Sequence, residues 1–152
     1  MDNKKLIELV KKVREETGLG VMEIKSALEE AKGDEKSAKQ ILKKKGFEKV
    51  AKKAEREVKA GRVATYTHGT GKIGVIVELL CETDFVARHE EFVAVSRDLC
   101  LQVAAMNPKD VKELMGQEFI KDSSKKIDEL IAGLVAKFGE NIKIGKIGRF
   151  EI

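Results

Sequence analysis

The apolar period of this 152-residue chain changes at Gly61, and that change constrains the fold more than any other feature. Before Gly61, apolar residues recur every three or four positions; after it they alternate, the signatures of helix and strand. Leu6, Leu9, Val10 and Val13 mark a first helix. Thr17-Gly18-Leu19-Gly20 stops it, since glycine readily takes the left-handed conformation of a helix C-terminus. Met22, Ile24, Ala27, Leu28 and Ala31 predict a second helix ending near Gly33. Asp34 is a capping residue for a third, with Ala38, Ile41 and Leu42 on its buried face and Gly46 as its expected end. Residues 1–47 thus read as a small three-helix module. Residues 48–60 read as a charged helical connector whose apolar surface is only Val50, Ala51, Ala54 and Val58.

Beyond Gly61, Val63, Thr65 and Thr67 alternate with Ala64, Tyr66 and His68, and Gly69-Thr70-Gly71 is a turn signal, so a β-hairpin is expected. Its second strand, Ile73 to Leu80, is apolar on both faces apart from Gly74 and Glu78, which predicts a sheet covered by helices. Phe92, Val95, Leu99, Val103 and Met106 form a helical stripe over Glu90–Met106, closed by Asn107-Pro108. The stretch 109–123 is weakly patterned. Ser123 or Ser124 is the expected cap of a helix burying Ile127, Leu130, Ile131, Leu134, Val135 and Phe138, and a last strand is expected over Ile142–Ile152. Residues 61–152 therefore read as a ββααβ core, and the fold class as α+β with helices on an antiparallel sheet.

Charge narrows the partners. Charged residues make up 37% of the chain, and no apolar run approaches the roughly 20 residues that span a bilayer. The opening Met1-Asp2-Asn3-Lys4-Lys5 leads into an amphipathic pattern rather than the apolar core of a secretion signal, so a cytoplasmic location is expected. The net charge of +4 is mild, and the lysines of Lys43–Lys59 are interrupted by Glu48, Glu55 and Glu57. A solvated helix face accounts for such a run. Direct nucleic-acid binding would want denser charge or stacking aromatics, and this segment holds only Phe47. Two cysteines, Cys81 and Cys100, make no disulfide framework. There is no CxxC, no His-x-Glu-x-x-His and no phosphate-loop motif, so neither a metal site nor a cofactor is expected.

The chemistry that remains concentrates in Thr83-Asp84-Phe85-Val86-Ala87, between the apolar strand and the Glu90–Met106 helix. A carboxylate and an aromatic ring stand side by side there, on a turn of the kind where a rigid scaffold presents functional groups. Plainer readings exist. Phe85 could be the first core residue of the helix, and Thr83 or Asp84 merely its cap. Val21 and Met22 could be bundle core, and His68 a solvated turn residue. Cys81, His68 and Asp84 could form a thiol site in an enzyme, against which a cysteine ending an apolar strand is commonly inert. A helical adaptor, binding through the first 50 residues alone, is a further alternative.

Three motifs carry a family resemblance. Thr17-Gly18-Leu19-Gly20-Val21-Met22-Glu23-Ile24-Lys25-Ser26-Ala27-Leu28 resembles the opening of bacterial elongation factor Ts. Glu78-Leu79-Leu80-Cys81-Glu82-Thr83-Asp84-Phe85-Val86-Ala87-Arg88 resembles the central signature of that family, and Glu140-Asn141-Ile142 with Arg149-Phe150-Glu151 its C-terminal strand region. The motifs come in family order and reach from the first helix to the last residues. The resemblance implies a ubiquitin-associated-like N-terminal module, an α+β core, and nucleotide exchange on elongation factor Tu without covalent chemistry. It implies that Thr83, Asp84, Phe85 and Val86 disturb the partner's Mg²⁺ and phosphate region, and that Val21, Met22 and Ala87 also touch the partner. Tyr66-Thr67-His68-Gly69 with Lys72-Ile73-Gly74-Val75 resembles a hairpin of the second core subdomain of longer members, which makes His68 and Gly69 partner contacts as well. Long members carry that hairpin and the Thr-Asp-Phe-Val signature on two core subdomains; this chain carries both on one segment. It also lacks their coiled-coil insertion, of which only 107–123 could remain. A homodimer giving a 2:2 complex is therefore expected.

Overall fold

The computed structural model describes residues 2–152. Helix α1 spans Asn3–Thr17; the Asp2 carboxylate accepts from the Lys4 amide at its start, and Gly18, at φ 69°, closes it through an N–H bond to the Arg14 carbonyl. Helix α2 spans Val21–Glu30, and α3 spans Glu35–Lys53 behind an Asp34 cap that accepts from the Ser37 amide at 2.8 Å. Val10, Val13, Leu19, Ile24, Ala27, Leu28, Ala38 and Leu42 form one apolar cluster among these three helices.

Gly46 does not end α3, contrary to the sequence expectation. It is buried within the helix, and a Cβ built on it would lie 3.9 Å from that of Ala132. A glycine at a helix crossing and a glycine at a helix end look alike in one sequence. The helix continues because Val50, one turn further on, packs against the second apolar cluster. The connector is helical only to Lys53; the chain is irregular from about Glu57 and becomes strand at Ala60.

The second cluster lies under a three-stranded antiparallel sheet of order β1-β2-β5. Strand β1 is Ala60–His68, β2 is Ile73–Cys81 and β5 is Lys143–Glu151. Between β2 and β5 lie α4 (Asp84–Ala87), α5 (Glu90–Met106), α6 (Val111–Gly116), the short pair β3 (Glu118–Phe119) and β4 (Asp122–Lys126), and α7 (Ile127–Phe138). The long elements keep the expected ββααβ order. The stretch without pattern holds a one-and-a-half-turn helix and a miniature hairpin, each anchored by a single buried residue, Leu114 and Phe119. Gln102, fully buried on α5, holds this hairpin: its amide donates to the Glu118 carbonyl at 2.9 Å and accepts from the Ile120 amide at 2.9 Å. Ser123 and Ser124 lie in β4 and cap nothing; Lys126 occupies the cap position of α7, with no side-chain capping bond.

Helices cover one face of the sheet. Val75, Val77, Leu79 and Cys81 point into the core against Phe92, Val95, Leu99 and Val103 of α5. Met106, expected on that stripe, is instead half exposed at the helix end. Among the described residues, no helix covers the other face. Ile76 is 44% exposed there, with Val63 and Phe150 more so, which corrects the expectation that β2 is covered on both sides. Gly148 faces Ile76 so closely that a Cβ on it would lie 3.0 Å from Ile76 Cγ2.

Candidate partner-binding surface

Strand β2 leaves the sheet at Cys81 and the chain turns at once. Thr83, extended at φ −126° and ψ 152°, is the N-cap of α4, and its hydroxyl accepts from the Val86 amide at 3.4 Å. The four-residue helix that follows divides its side chains by face. Val86 and Ala87 are buried in the core cluster, whereas Thr83, Asp84 and Phe85 face solvent. Phe85 is 82% exposed, which removes the reading of it as a core residue. Among the described residues, no hydrogen bond or ion pair engages the Asp84 carboxylate. The turn thus presents an unengaged acid and a bare ring, while the two apolar residues behind them bolt it to the core.

A second segment grips the turn from behind. The Glu140 carboxylate accepts from the Glu82 and Thr83 amides, each at 3.1 Å, and from the Thr83 hydroxyl at 2.7 Å. In return, the Glu82 carboxylate accepts from the Asn141 amide at 2.7 Å. Asn141, itself buried, donates through its side chain to the Arg56 carbonyl at 2.7 Å. Glu82, Thr83, Glu140 and Asn141 are therefore one cross-braced cluster. In the sequence Thr83 belongs to the candidate turn and Glu140-Asn141 to a separate motif; the 57 residues separating Thr83 from Glu140 leave no local signal of the contact.

The other named residues lie elsewhere. Val21 and Met22 open α2 after Gly20; Met22 is 75% exposed, so neither is bundle core. His68 ends β1, exposed, with its Nδ1 2.9 Å from the Tyr66 hydroxyl. Gly69, at φ 57°, begins the hairpin turn, and Gly71, at φ 88°, follows. His68 pairs with Ile73, the first residue of β2, whereas the acidic turn follows Cys81, the last. The nine residues of β2 put about 25 Å between the two ends of the hairpin.

That separation also dissolves the thiol site: Cys81 and His68 belong to opposite ends of the strand. The Cys81 thiol is buried and donates to the Thr83 carbonyl at 3.2 Å. Burial, with the Glu140 charge adding to it, pushes it up to about 11; burial pushes Cys100 up to about 11 as well. Both are protonated near neutrality, and the thiolate is the nucleophile. Among the described residues, no group of three His, Cys, Asp or Glu could hold a metal ion, and no helix is long and apolar enough to cross a membrane.

Comparison with known proteins bears on the same residues. The family model described as elongation factor TS matches residues 82–152, which begin at the braced turn. Curated relatives named elongation factor Ts from Leptospira biflexa serovar Patoc strain Patoc 1, in its Ames and Paris forms, are each 38% identical over an alignment of 190 residues covering 95% of this chain and 96% of theirs. The alignment is longer than the chain, so these relatives carry positions that this chain lacks.

Proposed function

This chain belongs to the elongation factor Ts family and is a translation elongation factor; on that premise we propose that it binds elongation factor Tu in its GDP form and speeds GDP release by wedging Asp84-Phe85 beside the Mg²⁺ and phosphate site. The observation that carries this reading is a bare phenyl ring next to an unengaged carboxylate on a turn anchored from both sides. GDP in such GTPases is held by Mg²⁺ and oriented donors. A protein weakens that grip by stabilising the conformation in which those contacts are misplaced, and the coupling is reciprocal, so nucleotide also weakens the protein's own hold. No covalent bond in either molecule is made or broken.

The size of the effect can be bounded. Burying a phenyl side chain is worth about 2 to 3 kcal/mol. If all of it is realised only in the nucleotide-released conformation, GDP binding weakens roughly 30- to 150-fold through Phe85 alone. Asp84 adds orientation, as an acceptor for backbone or basic groups of the partner. The test is to load elongation factor Tu with a fluorescent GDP and follow release on adding this protein. Phe85→Ala is expected to lose most of the acceleration while remaining folded. Unchanged release kinetics from a folded Phe85→Ala protein would sink the wedge.

The remaining contacts follow from the premise. Val21 and Met22 offer an exposed apolar pair, and a thioether adapts well to an interface. Thr83 and Asp84 meet the partner directly. Val86 and Ala87 act from beneath, as the buried floor of the turn. His68 and Gly69 belong to a second contact about 25 Å away along β2. We place that contact on a second partner molecule: two copies of this chain pair through the open sheet face, where Val63, Ile76 and Phe150 are exposed around Gly148, giving a 2:2 complex. An apolar patch of this kind is a common mark of an interface. Light scattering is expected to give a dimer, and Ile76→Lys a monomer with reduced exchange activity. A wild-type monomer with full activity refutes the pairing. Activity confined to residues 1–50, without nucleotide coupling, would instead favour the adaptor reading. The expected location remains the cytoplasm, where this partner works.

A further inference from the structure

We infer that Glu140 is a positioning residue for nucleotide exchange, holding the Asp84-Phe85 turn in the one geometry that enters the partner; this rests on the wedge reading above. Glu140 follows the α7 C-terminus, closed by Gly139 at φ 68°, and reaches back to a turn more than fifty residues earlier. Its carboxylate takes three donors from two successive residues: the amides of Glu82 and Thr83 at 3.1 Å and the Thr83 hydroxyl at 2.7 Å. Those amides are the last ones before α4 and lack a ladder partner, since β2 ends at Cys81. The hydroxyl bond is the short one, and the two amide bonds fix the direction of the backbone on either side of it. These bonds also leave the Thr83 hydroxyl oxygen free to accept from the Val86 amide, so one group orients the cap and the cap orients the helix.

The brace is two-sided. Glu82 returns the contact to the Asn141 amide at 2.7 Å, and the Asn141 side chain reaches the carbonyl of Arg56 at 2.7 Å. Arg56 adds a bond to the Gly139 carbonyl at 3.4 Å. Three chain segments therefore meet behind Phe85: the connector at Arg56, the end of β2 and the loop between α7 and β5. Phe85 itself touches none of them through a polar group. A ring that is 82% exposed has no packing of its own to fix its direction. Whatever fixes it must act through the backbone beneath, and Glu140 holds that backbone.

Removing the carboxylate leaves two amides to water and lets the turn sample other geometries. A wedge competent only a tenth of the time works with about tenfold lower apparent affinity for the exchange-competent complex. Glu140→Ala is expected to slow GDP release by about that factor at subsaturating protein. Glu140→Gln keeps one oxygen for the two amides and is expected to recover most of the activity. The decisive comparison places Glu140→Ala in the Phe85→Ala background. If Glu140 acts through the ring, its substitution costs nothing further there. Hydrogen exchange should show faster exchange at the Glu82 and Thr83 amides, with β1, β2 and α5 unchanged.

Two results overturn the assignment while leaving the wedge standing. One is a slow Phe85→Ala protein beside a Glu140→Ala protein of wild-type rate. The other is an equal loss from Glu140→Ala in both backgrounds, with exchange faster throughout the core, which marks general destabilisation. A Phe85→Ala protein of wild-type rate removes the wedge reading, and the positioning role with it.

Discussion

The two ends of the β1–β2 hairpin are built in opposite ways. At one end the chain leaves Cys81 into a turn whose amides are capped, whose apolar residues are buried and whose backbone is gripped by Glu140. At the other, His68 stands beside two glycines in left-handed conformations, and its polar contact is the Tyr66 hydroxyl. In the proposed wedge, a ring that displaces a partner's structure must not give way, and the braced mounting suits that demand. A contact that follows a surface already engaged gains from give, and a glycine turn supplies it. On the proposed function, one pair of strands carries a rigid contact and a compliant one, separated by the length of β2.

The sharpest way to break this contrast is to compare glycines. Gly61 pairs with Leu80 at the rigid end, and a Cβ there would collide with the Leu79 carbonyl oxygen and lie 2.9 Å from the Leu80 Cα. Both obstacles are backbone, so the strands themselves would have to part. Gly61→Ala is expected to cost about 3 kcal/mol, at the upper end for overpacking, measured by urea denaturation. Gly69 at the compliant end has nothing within 4 Å of a built Cβ; its only demand is its φ of 57°. Gly69→Ala should cost about 1 kcal/mol, the usual penalty for a left-handed residue with a Cβ, and should leave the Phe85-dependent part of exchange intact. Equal losses at the two sites would mean that the hairpin ends do not differ in stiffness.

What the sequence disclosed, and what it hid, divides along the same physical line. Periodic segments were legible: α1, α2, α5 and α7 bury a helical face, β2 buries every second residue from Val75 to Cys81, and β1 was legible with it through the glycine turn that joins them. The stretch from Lys109 to Ser123 was not, because α6 and β3 each rest on one buried side chain, Leu114 or Phe119, and one residue makes no period. Gly46 misled because its burial against Ala132 is tertiary. The turn itself was legible as a motif, yet its exposure was not, since Phe85 stands where a first core residue could equally stand. Glu140 carried no readable role at all. Two of its three partners are backbone amides far away in the chain, which place no demand on side-chain type, and the third is a hydroxyl, Thr83's, that a helix cap already accounts for.

The smallest expected effect is the most discriminating for the compliant end. Tyr66 is half-buried on β1, and its ring lies 5.9 Å from that of His68 at a 49° tilt, with the hydroxyl on Nδ1. When the phenol donates, neutral His68 must carry its hydrogen on Nε2, and the ring then offers an outward donor. Tyr66→Phe removes that preference and keeps the ring contact. Since His68 is exposed and water can replace the phenol, stability should change by less than about 0.5 kcal/mol. Any consequence must then show in function: about two- to threefold weaker association with elongation factor Tu, the usual scale of one modest hydrogen bond shared with water, with the maximal GDP release rate unchanged. That split follows from the proposed roles, in which the His68 contact adds grip and the distant Phe85 turn does the displacing. A fall in maximal rate comparable with that of Phe85→Ala would mean that the hairpin tip takes part in displacement, and the division between a rigid and a compliant end would fail.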